Sequence, residues 1–407
     1  MKCRLCYSDH LSIFLDLGLH PPSDQFKHEI ELNEQTFFYP LKVAQCDSCG
    51  FVQLTYVVPP EILYQKNYPY ESSTTKTGRI HYFDFSNSII DEFNLTKDDL
   101  VVDIGSNVGV LLEGFQKEGV RIQGVDPAPN IAKIANSRGI PTINSFFNQK
   151  VSSEILKSMG MASIITGTNV FAHVDDLHAF MIAIKTLLDP EKGVFVIEAP
   201  HFLHLIANLE YDTIYHEHLS YISIEPLILF FSKFDMQIIK VEEKDIHGGS
   251  IRIFISRVGN YNVDSSVQDV VNKEKSARLR DISTLKDFSV RVQKNKLKLM
   301  SLLLKLKNEG HKIAAVSAPA KGMTLLNYCN IDSDIIDFVT EKSSLKIGLF
   351  TPGGNIPVFG DEKLMLEKPN YVILLAWNFS KEIIENNRAF TESGGHFIIP
   401  IPEPKII

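Results

Sequence analysis

Between residues 101 and 199, short β-branched runs alternate with helical patterns, and no other feature narrows the fold as much. Val101–Ile104, Ile122–Asp126, Ser163–Thr166 and Gly193–Ala199 read as strands; Leu111–Glu118, Asn130–Arg138 and Leu177–Leu188 read as helices. Strands separated by helices pair in parallel, so this stretch predicts a doubly wound α/β sheet. Met236–Glu242 and Ile251–Val258 follow with no long helix between them, which suits an antiparallel edge. A polar, Lys-rich stretch over 262–310 then carries Leu279, Ile282, Leu285, Leu297 and Leu302 at helical spacing and predicts long surface helices acting as a bridge. A second α/β pattern begins at Lys312–Val316. It continues through Met323–Tyr328, Ile335–Val339, Tyr371–Ala376 and Phe397–Ile399. Residues 1–75 read as irregular. Since single cores stop growing at roughly 250–300 residues, the 407-residue chain is expected to divide into units at 1–75, 76–260 and 261–407.

The irregular head holds Cys3-x-x-Cys6 and Cys46-x-x-Cys49, four of the five cysteines. Two such knuckles supply four thiolates for a tetrahedral Zn²⁺, and four sulfur ligands leave no open position, so the metal is expected to be structural. A thin-cored head of this size needs such a staple. Cys329 stands alone and reads as a packed small hydrophobe. Lys and Arg total 41 against 49 Asp and Glu, a net charge of −8. That balance argues against a nucleic-acid partner. No apolar run approaches the roughly 18–20 residues of a membrane span, and the first residues lack a signal-peptide pattern, so a cytoplasmic protein is expected.

Val101-Val102-Asp103-Ile104-Gly105-Ser106-Asn107-Val108-Gly109 puts two glycines four apart directly after a strand and before a helix. Backbone without Cβ atoms lets a ligand approach closely, and the helix start offers unpaired N–H groups. The G-x-G-x-x-G of dinucleotide sites is missing, which argues against NAD. Asp126, at the end of the second strand, can accept from both hydroxyls of a ribose. With Asp103, Ser106, Asn107 and Asn169 of Gly167-Thr168-Asn169, the pattern suits S-adenosylmethionine, which has no pyrophosphate to cradle.

Tyr215-His216-Glu217-His218 gathers two imidazoles, a carboxyl and a phenol into four positions. His218 is a candidate base, Glu217 a group to orient it, and Tyr215 a donor to a developing oxyanion. The spacing is not that of H-E-x-x-H, so no catalytic metal is expected.

Taken together, these strings resemble those of the three-domain sugar C-methyltransferases, which methylate nucleotide-linked keto-deoxysugars in bacterial antibiotic and polysaccharide pathways. The markers are the paired CxxC head, the run Asn67-Tyr68-Pro69-Tyr70-Glu71-Ser72-Ser73, Ile104 to Gly109 and Tyr215 to His218. His247-Gly248-Gly249-Ser250-Ile251-Arg252, Ala318-Pro319-Ala320-Lys321-Gly322, Trp377-Asn378-Phe379 and Pro400 to Pro404 complete them. The resemblance spans nearly the whole chain. It implies a zinc-binding domain, a central Rossmann-like methyltransferase sheet and a second Rossmann-like α/β domain at the C-terminus. It further implies His218 as general base, Tyr215 and Glu217 at the reaction centre, Tyr70 reaching in from the head, and His173 nearby. A nucleotide-diphosphate sugar would be held by Lys321 and Gly322, with His247, Ser250 and Arg252 adding phosphate contacts. Two positions depart from the family: Asp103 where Glu is frequent, and Val108 where Asp is usual. A monomer is expected. The rival readings are an NAD-dependent oxidoreductase, an O- or N-methyltransferase, and a non-enzymatic zinc-ribbon binding protein.

Overall fold

A computed structural model describes residues 1–64, 68–69, 71–72, 76–246 and 248–407. Among the described residues the strands form three sheets. The head, expected to be irregular, carries the antiparallel strands β1 (Leu11–His20), β2 (Tyr39–Cys46) and β3 (Val52–Leu54). Register shifts between Ile13 and Leu15 and between Asp16 and Leu19 break the two-residue alternation, which is why these strands do not read as such from sequence.

The central sheet uses β4 (Leu100–Ile104), β5 (Arg121–Asp126), β6 (Thr142–Asn144), β7 (Ile164–Thr168) and β8 (Val194–Pro200), all parallel. The short β9 (Ser220–Tyr221) leaves this stretch and pairs with β3, so the head sheet runs β1-β2-β3-β9. Strands β10 (Met236–Lys244) and β11 (Ser250–Arg257) close the far edge, giving the order β10-β11-β8-β7-β4-β5-β6. The antiparallel edge is present, with one refinement. Only β11 runs against the sheet, because it inserts between β8 and β10.

Strands β12 (Ile313–Val316), β13 (Val339–Thr340), β14 (Val358–Phe359), β15 (Tyr371–Leu374), β16 (His396–Ile399) and β17 (Lys405–Ile406) make the third sheet, parallel except for β17. The expected strand over 335–339 shrinks to β13.

The bridge is a helix over Ser265–Ser276 and a second, 27 residues long, over Ile282–Asn308. The longer helix is no surface strut. Leu285, Phe288, Val292, Leu299, Leu303 and Leu306 form a buried stripe at i+3/i+4 spacing, while Leu297 is 69% exposed. That stripe joins Phe14, Leu15 and Leu41 of the head and Ile313 and Ile373 of the C-terminal sheet in one core. A head sheet this small buries too little by itself, so it borrows its core from the far end of the chain.

Candidate active site

In a doubly wound sheet, chain crossings to opposite faces open a crevice at the carboxyl ends of the strands. Here β4 lies between β5 and β7, and its last residue, Ile104, leads into the glycine turn. Gly105 has φ +65°, and a Cβ there would sit 2.4 Å from Val170 Cγ2. Only glycine fits this position. Gly109 (φ +83°) precedes the helix Val110–Lys117 and packs against Ile140; it shapes the turn without lining the cavity.

Asp126 fixes the turn from the neighbouring strand. Its two carboxylate oxygens accept from the backbone N–H groups of Asn107 and Ala128, each at 2.9 Å. Each oxygen keeps a further lone pair for a ligand hydroxyl. Asp103 accepts from Thr166 Oγ1 at 2.6 Å, and burial, helped by the charge of Asp126, pushes its carboxyl up to about 7. Ser106 Oγ and Thr168 Oγ1 are buried with no hydrogen-bond partner, so two polar groups of the wall stay unspent.

Asp103, Gly105, Ser106, Asn107, Asp126 and Asn169 all line one cavity of about 750 Å³. Its size suits a drug-sized or nucleoside-sized ligand. Phe146, Phe147 and Val125 supply apolar wall beside Asp126. The orphaned hydroxyls, the glycine that leaves room for close approach and the oriented Asp126 fit S-adenosylmethionine. Val108 lies outside these walls, buried with Val110, Ala128 and Ile131 in a small apolar cluster. The departure at this position therefore falls in packing.

At the other end the cavity meets His173 and Glu217. Tyr68 donates to Glu217 Oε2 at 3.0 Å. Burial first, and the nearby charge of Asp24 second, push the Glu217 carboxyl up to about 8, despite opposing pulls from Tyr68 and Lys346. At neutral pH Glu217 is accordingly a carboxylic acid and a donor. His173 Nδ1 lies 3.2 Å from the Tyr64 hydroxyl, while its Nε2 is buried without a partner. Burial and the adjacent His218 hold His173 well below the usual imidazole range, so it stays neutral.

His218 is half-buried and is not itself a wall of this space; it adjoins through His173, with ring centroids 5.0 Å apart. Tyr215 packs on its other side at 4.0 Å. Nδ1 of His218 lies 2.7 Å from the Thr213 carbonyl oxygen, which can only accept. The proton therefore sits on Nδ1 and the lone pair on Nε2, the tautomer a base needs. The Thr213–Leu219 loop is pinned from two sides. Thr324 donates to the Ile214 carbonyl, and Arg4, between the first two cysteines, donates to the Leu219 carbonyl.

Among the described residues, the side chains expected to contact phosphate have protein partners. Arg252 is buried on β11, donates to Glu198 of β8 and lies 3.4 Å from the Phe85 ring centre, which makes it a sheet-packing residue. Ser250 is buried and donates to the Ile246 carbonyl. Lys321 Nζ pairs with Asp212 at 3.8 Å beneath Trp377, whose Nε1 donates to the same carboxylate. With Glu210 also nearby, the cation is already neutralised. The Gly322 N–H is spent on the Pro319 carbonyl, and its Cα faces Leu375 too closely for a side chain. Tyr70 and His247 lie outside the described residues.

Sequence reasoning missed Tyr64, Tyr68, Asp24 and Lys346. Tyr68 stands inside a quoted marker run, so a signal existed. Asp24 and Lys346, an almost fully buried pair at 3.1 Å, come from opposite ends of the chain and have no local signature.

The four head sulfurs come together, all within 4.8 Å, with Cys3–Cys49 at 3.6 Å and Cys6–Cys46 at 3.5 Å. A tetrahedral ion with Zn–S bonds of about 2.3 Å spaces its sulfurs about 3.8 Å apart. The donor set fits Zn²⁺.

Comparisons with known proteins agree with this layout. A zinc-binding-domain model matches residues 3–64, a methyltransferase-domain model 81–241, and a C-methyltransferase C-terminal-domain model 245–402. The chain is 34% identical over 408 residues to C-methyltransferase NovU of Streptomyces niveus, covering 100% of this chain and 96% of that one. A ubiquinone biosynthesis O-methyltransferase of Colwellia psychrerythraea is 28% identical over 108 residues, 26% of this chain and 44% of its own. A crystal structure of an S-adenosylmethionine-dependent methyltransferase from Clostridium acetobutylicum aligns with TM-score 0.36 and 16% identity over 44% of this chain and 92% of that one. With one relative matched from end to end and three family models matched in order, the chain belongs to the family of S-adenosylmethionine-dependent C-methyltransferases.

Proposed function

We propose that this enzyme methylates a carbon beside the 4-keto group of a nucleotide-diphosphate-linked deoxysugar, with His218 as the base. S-adenosylmethionine, when bound, supplies an electrophilic methyl group. Asp126 would take its ribose hydroxyls, and Ser106, Asn107, Asn169 and the backbone at Gly105 would hold the rest. The chain's own work is then to make a carbon nucleophile. His218 Nε2 takes the proton next to the ketone, and its Nδ1–H, bonded to Thr213, steadies the imidazolium that results. The protonated Glu217 and the Tyr215 phenol stabilise the enolate oxygen as donors. The observation that carries this reading is the fixed tautomer of His218 beside a cavity that also holds the cofactor residues. The choice of a nucleotide sugar rests on the sequence resemblance.

We assign the four cysteines a structural Zn²⁺. One chain contains every group the reaction uses, so we expect a monomer working in the cytoplasm.

The test is His218→Asn. Transfer from labelled donor to a panel of nucleotide 4-keto sugars should fall by about 10²–10⁴-fold, the usual share of a positioned base. Donor affinity should stay within about twofold of the parent. Uptake of solvent deuterium next to the ketone should vanish in parallel. Undiminished turnover would remove His218 from the role.

A further inference from the structure

We propose a second metal site, for a divalent transition ion such as Zn²⁺, made by His201, His204 and Glu243. Each offers one ligand atom, and the three atoms lie within 4.8 Å of one another. They sit apart from the cysteine cluster, where β8 gives way to the helix Phe202–Asn208 and faces the end of β10.

Three independent features make this more than proximity. His201, 1% exposed, has its Nε2 2.8 Å from Glu274 Oε1, while its Nδ1 is buried with no hydrogen-bond partner. A carboxylate holding the far nitrogen of a histidine is the usual way a protein fixes the tautomer of a metal ligand. Glu274 is itself held by the backbone N–H groups of Ile224 and Glu225. An imidazole oriented this firmly, with its other nitrogen left unpaired in the interior, has no structural use for that nitrogen.

Second, His204 Nε2 and Glu243 Oε1 stand 3.9 Å apart. That is too far for a hydrogen bond and close to the separation of about 3.3 Å that a tetrahedral ion with bonds near 2.0–2.1 Å imposes on its ligands. Both side chains are partly exposed and can close the difference. Lys273 uses the other oxygen of Glu243, so Oε1 remains on the His204 side.

Third, the donor set is the two-imidazole, one-carboxylate type that borderline ions favour over Mg²⁺ or Ca²⁺. An ion here would fasten β8, β10 and, through Glu274, the first bridge helix.

The experiment uses the full chain dialysed against micromolar Zn²⁺, with metal counted per chain by mass spectrometry, beside His204→Ala and Glu243→Gln. Each variant should carry one ion per chain fewer than the parent, and the cysteine-bound ion should remain. Co²⁺ loading separates the sites, because the second ion lacks the intense thiolate-to-metal absorption. Circular dichroism without added metal should be the same for all three proteins. If His204→Ala does not fold, the exposed Glu243→Gln decides. Equal metal counts in parent and variant, or cobalt spectra showing sulfur ligation alone, would overturn the proposal.

Discussion

Glu217→Gln is expected to make the protein more stable, and increasingly so as the pH rises. The parent carboxyl titrates at an ordinary 4.5 when unfolded and at about 8 in the folded chain. Between those values the unfolded state gives up a proton that the folded state retains, so stability falls as the pH climbs from about 4.5 to about 8 and then levels off. At about 1.4 kcal/mol per pH unit, the full span approaches 5 kcal/mol, an upper bound because the buried site can admit water or reorganise. The cause is burial, reinforced by Asp24, whose own partner Lys346 only partly screens it. Glutamine has the shape of the protonated acid, can still accept from Tyr68, and never ionises. Thermal melting of parent and variant from pH 4 to pH 9 should give curves that coincide near pH 4 and diverge steadily above pH 5. Asp24→Asn should recover part of the gap by easing the ionisation of Glu217. Parallel curves over the whole range would mean that Glu217 is ionised in the folded protein and is no donor to an enolate.

Val108→Asp, which would restore the residue usual in the family, should destabilise by several kcal/mol, since it buries a carboxylate among Val110, Ala128 and Ile131; a tightened donor affinity with an unchanged melting temperature would show that position 108 reaches the cofactor after all. Cys49→Ser should release one ion per chain and prolonged chelation every bound ion, and either should lower the melting temperature of the head. It should also impair methyl transfer, because Arg4 within the first knuckle holds the Leu219 carbonyl next to His218; full activity in metal-free protein would break that link.

The central sheet was open to reading because its elements are local: apolar runs of strand length, helical spacing between them, glycines at the turns. Each strand expected between 101 and 199 lies within a few residues of its place, although the short β6 was not among them, and residues of the glycine turn line one cavity with Asp126. The cysteine cluster was equally open, since two CxxC knuckles confine their sulfurs wherever the rest of the chain goes. Sequence alone therefore determined the local framework, namely a sheet with a glycine turn, four converging thiolates and an imidazole loop.

Other features depended on groups far apart in the chain. The family resemblance implied phosphate contacts for Arg252, Ser250 and Lys321, and in the fold their side chains meet Glu198, the Ile246 carbonyl and Asp212. Nothing in a linear string reveals which charge is spent. Burial and Asp24 raise the pKa of Glu217 against the pull of Lys346, and Asp24 and Lys346 lie 322 residues apart in sequence. Folding decides which polar groups are paired and which are left available, because a buried charge is governed by neighbours that only tertiary contacts supply.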